Sequence, residues 1–286
     1  MKQLTTGFIV MLLLCTPFLF VRAETAKQTE FVIVPGKPGP GDIAVITLKG
    51  VKGPVEGVFN GKTLYFNGMH DPQNSFQAIL GIDLLTAPGD YILDIIAGGT
   101  RLHRTVTISK KKYPVQRLTL PRGMVELSPE NDARAEREQK VMAAIWPRET
   151  VRAWSGNFIN PRNGRITTTF GVRRVINKIP KSSHTGVDIS AKEGDEVRAP
   201  NNGIAVLTDE QFYSGNSVVL DHGQGIYTMF FHLSKMLVTP GQEVKKGDVI
   251  GLVGSTGRST GAHLHWGARI QGARVDPLEL IHLRLE

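Results

Sequence analysis

Cysteine is almost absent from this 286-residue chain: Cys15 is the only one, and it lies in an apolar N-terminal run. A mature chain cleaved after that run would carry no disulfide, so its stability must come from packed cores and any bound metal. The longest apolar run, Phe8 to Phe20, is too short to cross a bilayer comfortably. Aromatic residues make up 7% of the chain and do not interleave with basic ones, which removes the usual mark of a nucleic-acid surface. The glycine-rich stretch GSTGRSTG lacks the GK[ST] ending of a phosphate-cradling loop and runs into a strand pattern, so it reads as a loop lining a groove.

What is present begins with a leader. Residues 1–23 read as a secretory signal peptide: Lys2 is the positive start, Phe8–Phe20 the apolar region, and Val21-Arg22-Ala23 a small-residue cleavage site. Leu14 before Cys15 is wrong for a lipoprotein signal, so no stable membrane anchor is expected after cleavage. The formal charge of +8 falls to +6 when Lys2 and Arg22 leave with the leader. A basic surface of that size favours an anionic polymer by long-range attraction. The hydrophobic share of 41% supports real cores, and the length left after cleavage suits two domains.

Residues 24–112 read as an all-β domain. Short β-branched or aromatic runs at Phe31–Val34, Asp42–Leu48, Thr63–Phe66, Tyr91–Ile96 and Arg104–Ser109 alternate with turns such as Asn60-Gly61 and Pro88-Gly89. APGDY before a late strand suits an immunoglobulin-like β-sandwich. Residues 113–159 read as a connector. Ser128-Pro129-Glu130 is a helix start, and the helix should run over about 128–145 and stop before Pro147. Glu130 with Arg134, and Glu136 with Lys140, are favourable i,i+4 pairs, while Val141, Met142, Ile145 and Trp146 should pack onto a domain. Residues 160–286 read as a glycine-punctuated, mostly antiparallel β domain, so the fold class is mainly β.

The chemistry sits in this last segment. HTGVD supplies His184 and Asp188, FFHL supplies His232, and GAHLHW supplies His263 and His265. Residues two apart on a strand share a face, so His263 and His265 should face a cleft while Leu264 and Trp266 face a core. Gly186 between His184 and Asp188 suggests a loop or a distorted strand. Catalytic zinc takes three ligands from His, Asp or Glu and keeps a fourth position open, so these five residues suffice for a mononuclear Zn2+ hydrolase site. Spacing alone does not tell ligand from base between His263 and His265.

Residues 160–280 resemble the lysostaphin/LytM-type zinc metallopeptidases that cut peptidoglycan. ITTTFGVRR, HTGVD, GDEVRAP, GNSVVLDHGQG, TMFFHL, VKKGDVIGLVG and STGRSTGAHLHW follow in that family's order. The resemblance implies zinc held by His184, Asp188 and His265, with His232 and His263 as catalytic histidines. It implies hydrolysis of a stem or cross-link peptide of peptidoglycan, by an endopeptidase working outside the cytoplasm, in a periplasm given the plain leader. One departure is visible: Phe230 stands where the family usually has Tyr. The other reading is a non-catalytic or masked peptidoglycan binder that activates a cell-wall amidase. Masking could come from the N-terminal domain, a partner protein, or an asparagine among Asn157, Asn160 and Asn163 seated on the metal.

Overall fold

The structure is a computed structural model that describes residues 29–119 and 127–285. The expected signal peptide, with Cys15, lies outside the described residues. The first unit holds β1 (Glu30–Val34), β2 (Ile43–Lys49), β3 (Val55–Phe59), β4 (Lys62–Tyr65), β5 (Asn67–Gly68), β6 (Phe76–Gly81), β7 (Gly89–Ala97) and β8 (Thr100–Ile108). They form two four-stranded sheets, ordered β1-β2-β6-β5 and β4-β3-β7-β8. The two sheets face each other as a β-sandwich. The inward residues Ile46, Leu48, Leu80, Leu93, Ile95 and Ile108 form its core. Strands β3, β5 and β6 were not legible in the sequence. Gly57 and Ala78 dilute the β-branched character of β3 and β6, and pairing with central neighbours supplies what propensity does not. Asn60 and Gly61 make the two-residue β3–β4 turn, both at positive φ (49° and 74°), as a primed hairpin turn requires.

The connector contains a strand that the sequence did not disclose, β9 (Val115–Leu118), and a helix α1 (Pro129–Ala143). Ser128 caps α1 by accepting from the Asn131 N–H at 3.3 Å, with Pro129 in the first turn. The helix ends at Ala143, short of the expected Ile145, because Pro147 keeps the preceding residues out of the helix and the chain turns instead. Arg134 pairs with Glu138 at 2.6 Å, not with the expected Glu130, since Glu138 is itself fixed by the Phe212 N–H at 2.7 Å. Glu136 and Lys140 pair at 2.8 Å. Ile145 is buried against Tyr227 and Met229 with Met142 and Trp146 alongside, whereas Val141 stays 55% exposed on the outer face.

The C-terminal unit holds β10 (Ile166–Thr168), β11 (Arg173–Ile176), β12 (Ile179–Ser183), β13 (Gly186–Ser190), β14 (Glu196–Arg198), β15 (Gly203–Gln211), β16 (Gly215–Gly223), β17 (Ile226–Met236), β18 (Glu243–Val244), β19 (Val249–Val253), β20 (His263–Ile270) and β21 (Ala273–Val275), closed by helix α2 (Pro277–His282). Ten strands form one antiparallel sheet whose spine runs β10-β13-β20-β17-β16-β15-β18. A separate three-stranded sheet, β12-β11-β9, is completed by the connector strand, which pairs in parallel with β11. The first unit docks on the sheet end: Ile43 and Ile79 join Ile226, Ile270 and Val275 in one cluster, and Arg274 grips Asp83 through two bonds of 2.6 and 2.9 Å. Ile270 lies seven residues along β20 from His263 and five from His265, roughly 23 and 17 Å away.

Candidate metal centre

Strand β20 sets the polarity of the site. Leu264 and Trp266 are fully buried in the core with Val187, Ile189 and Phe230, which leaves His263 and His265 on the opposite face. Asp188 on β13 lies directly across from His265, and Phe231 on β17 lies across from it on the other side. His184 sits just before β13, held by its own N–H to the Val172 carbonyl and by its carbonyl to the Gly171 N–H, at 2.9 and 2.8 Å. Gly186 does not mark a loop: it opens a regular strand. A side chain there would lie 2.4 Å from the Trp266 carbonyl oxygen and 2.6 Å from His265 Nε2. The glycine is needed so that the His265 ring can lie against the neighbouring strand.

Three donor atoms converge. His184 Nε2 is 3.0 Å from Asp188 Oδ1 and 3.0 Å from His265 Nδ1, and His265 Nδ1 is 2.9 Å from Asp188 Oδ1. All three residues are buried. Zinc–ligand bonds of about 2.0–2.1 Å set tetrahedral ligand atoms roughly 3.3 Å apart, so this triangle is close to what a zinc needs. The tautomers fit as well. His184 Nδ1–H donates to the Thr169 carbonyl at 3.0 Å, which leaves Nε2 as the lone-pair nitrogen. Phe231 stacks on the His265 ring at 5.3 Å and 6° and fixes its plane. Burial pushes His265 down to about 4, keeping it neutral as a ligand must be. Burial works against the Asp188 carboxylate, but the hydrogen bonds and charge of His184 and His265 outweigh it and hold Asp188 far below the usual carboxylate range.

The two remaining histidines flank this triangle. His263 Nε2 stands 3.7 Å from Asp188 Oδ1, and its Nδ1–H donates to the Gly261 carbonyl at 2.8 Å, with Ser259 Oγ at 3.3 Å. His232 has φ of 62°, rare for a residue with a side chain. Strand β17 leaves β20 after Phe231 and resumes pairing with β19 at Leu233, so His232 occupies the bulge between two partners. A bulge re-aims a side chain that regular pleating would send elsewhere. Its backbone N–H donates to the Ser214 carbonyl and its Nδ1–H to the Thr256 carbonyl, both at 2.8 Å. The His232 and His263 rings lie 4.9 Å apart. Burial, with lesser contributions from His263 and His184, lowers the proton affinity of His232.

All five sequence-predicted residues therefore meet in one place. Sequence reasoning missed the supports: Thr169, Gly186 as a spacer, Phe231 as a stacking partner, and Ser259 beside His263. The Phe230 departure removes nothing from this face, because its ring is fully buried opposite Trp266 on the core side. Two of the three asparagines that precede the sheet accept backbone N–H groups. Asn157 Oδ1 accepts from the Leu285 N–H near the end of the chain and Asn160 Oδ1 from the nearby Arg162 N–H, at 3.1 and 3.3 Å.

A Pseudomonas aeruginosa protein solved by crystallography and assigned to peptidase M23 superposes with a TM-score of 0.70 at 32% identity, covering 86% of this chain and 95% of that one. The Neisseria meningitidis DD-carboxypeptidase/endopeptidase Mpg is 41% identical over 116 residues, 41% of this chain and 27% of its own length. The Vibrio cholerae peptidoglycan DD-endopeptidase ShyA is 39% identical over 117 residues, 40% of this chain and again 27% of its own length. The chain thus matches about a quarter of the length of these two relatives. The sequence pattern of Peptidase family M23 matches residues 182–277, which hold His184, Asp188, His232, His263 and His265. With that pattern in place and a family relative matched over nearly all its length, the chain belongs to Peptidase family M23.

Proposed function

We propose that the protein is an exported zinc-dependent endopeptidase that hydrolyses peptide cross-links of peptidoglycan, working in the periplasm after loss of residues 1–23. The observation that carries this reading is the buried triangle of His184 Nε2, Asp188 Oδ1 and His265 Nδ1 with two further histidines beside it. Similarity to peptidoglycan DD-endopeptidases supports the substrate, and the leader pattern supports export. On this reading residues 24–112 form an accessory sandwich, 113–159 a connector and 160–286 the catalytic unit.

His184, Asp188 and His265 are the zinc ligands. A bound zinc supplies Lewis acidity toward the scissile carbonyl and the attacking water. His263 acts as general base through Nε2, which is free of the proton because Nδ1–H is committed to Gly261. His232 likewise keeps its proton on Nδ1 against Thr256, so it donates from Nε2 only when doubly protonated. Its lowered proton affinity makes that form a ready donor to the carbonyl oxygen or the departing amine.

The test incubates zinc-loaded mature protein with purified peptidoglycan and identifies released fragments by mass spectrometry. Cross-linked dimers should fall to monomers with the intact protein and not with His263→Ala, a loss of at least about a hundredfold for a general base. Zinc bound without cleavage by the intact protein would overturn the enzyme reading in favour of a binding module.

A further inference from the structure

We propose that the β9-β11-β12 sheet is a cationic flap that binds carboxylates of the substrate's peptide next to the metal site. The inference rests on the reading that the substrate is a cell-wall peptide, and it names the surface that would hold its acidic part.

The charge pattern is one-sided. Between Glu149 and Asp188 the chain has seven Lys and Arg residues and no acid. Two of these cations are occupied, Arg162 with Asp195 at 2.5 Å and Arg152 stacked over Trp154 at 3.7 Å. Among the described residues Arg165, Arg173, Arg174 and Lys178 have no acidic partner, and Arg165, Arg173 and Lys178 are exposed. The connector strand then adds Arg117, also exposed, by parallel pairing beside Val175. Arg165 lies just before β10, while Arg117, Arg173, Arg174 and Lys178 lie on the strands and turn of one small sheet, where like charges repel and a bound anion relieves the repulsion.

The position is what ties this charge to the site. Arg173 pairs with Ser183, the residue immediately before His184, and Val172 accepts the His184 N–H at 2.9 Å. Arg173 and Arg117 are on adjacent strands two residues out of step, so they share a face with Cα atoms roughly 8 Å apart. Guanidinium groups pair with carboxylates through two parallel bonds, and two of them at that spacing suit a peptide bearing more than one carboxylate. Strands β9, β11 and β12 carry no aromatic ring, so nucleobases would find nothing to stack on. The site is assembled only when the connector donates β9, and so it is a property of this chain's domain arrangement.

Co-sedimentation of the full mature protein with purified cell-wall sacculi reads the flap without relying on turnover. Native sacculi are compared with sacculi whose carboxylates have been converted to amides, using wild type and the Arg117→Gln/Arg173→Gln double variant, with melting curves to confirm folding. Wild type should bind native sacculi about fivefold to tenfold more tightly than amidated ones, and the double variant should bind both alike. Equal binding of the two sacculi by wild type, or undiminished binding of native sacculi by the folded double variant, overturns the proposal. Charge-dependent binding with no fragment released would support the flap and sink the peptidase reading, so the two failures are separable.

Discussion

Replacing Gly186 with alanine adds a single methyl group, and the structure fixes where it goes. The new Cβ would sit 2.4 Å from the Trp266 carbonyl oxygen, 2.6 Å from His265 Nε2 and 2.9 Å from His265 Cε1. The carbonyl belongs to β20, which is paired on both sides by β13 and β17, so it cannot retreat without breaking the ladder. The His265 ring cannot move freely either, because Phe231 is stacked on it at 5.3 Å. Overpacking of this kind costs about 1–3 kcal/mol of stability. A ligand held off its position also weakens a metal site, by about 10–100-fold in affinity where supporting groups are lost. Zinc affinity of Gly186→Ala, read by competition against a chromophoric chelator, should fall within that range, and its urea midpoint should drop in the zinc-free state as well. Gly261→Ala is the matched control: nothing lies within 4 Å of the place its Cβ would take, so neither quantity should change. Wild-type zinc affinity and stability in Gly186→Ala would show that the glycine is not what lets His265 reach the metal position.

Other expectations follow from the same contacts. His184→Ala should lose tight zinc binding, whereas His263→Ala should retain it, as metal analysis after dialysis would reveal; retention by both variants would contradict the ligand assignment. Glu279 is pushed up to about 7 from an ordinary 4.5, chiefly by burial and also by Asp42 and Asp276, despite the Ile43 N–H and Lys111. The folded chain then holds a proton that the unfolded chain releases, so stability should fall as pH rises from about 4.5 to 7, by on the order of 1–2 kcal/mol after solvent screening. Glu279→Gln keeps an acceptor for Ile43 and should flatten that slope; an unchanged pH profile of the melting temperature would count against the assignment. Arg274→Ala leaves the half-buried Asp83 without its guanidinium partner and should cost about 1–3 kcal/mol in urea unfolding, a loss that Asp83→Ala made in the same chain should partly cancel.

Much of the site could be read from short spacings. The two-residue period of HLHW separates His263 and His265 from Leu264 and Trp266, and β20 has that division because Leu264 and Trp266 are fully buried. The start of α1 was equally legible, since Ser128 and Pro129 act within one turn. Its pairing was less so: Glu130 and Glu138 are both four residues from Arg134, and the choice fell to the Phe212 N–H, a contact between Phe212 and Glu138 that spans 74 residues.

The sequence by itself determined the mainly β character, the five chemical residues and their family, because each is written in local period, turn chemistry or ordered motifs. Tertiary structure decided what those residues do to one another. The bonds joining His265 to Asp188 and to His184 span 77 and 81 residues, and only the β13–β20 register places them 2.9 and 3.0 Å apart. His232 owes its direction to a bulge created where β17 changes partners, and Arg117 owes its place beside Arg173 to a parallel strand lent by the connector. Register and partner choice are set by packing between distant segments, and a residue's nearest neighbours along the chain carry little information about either.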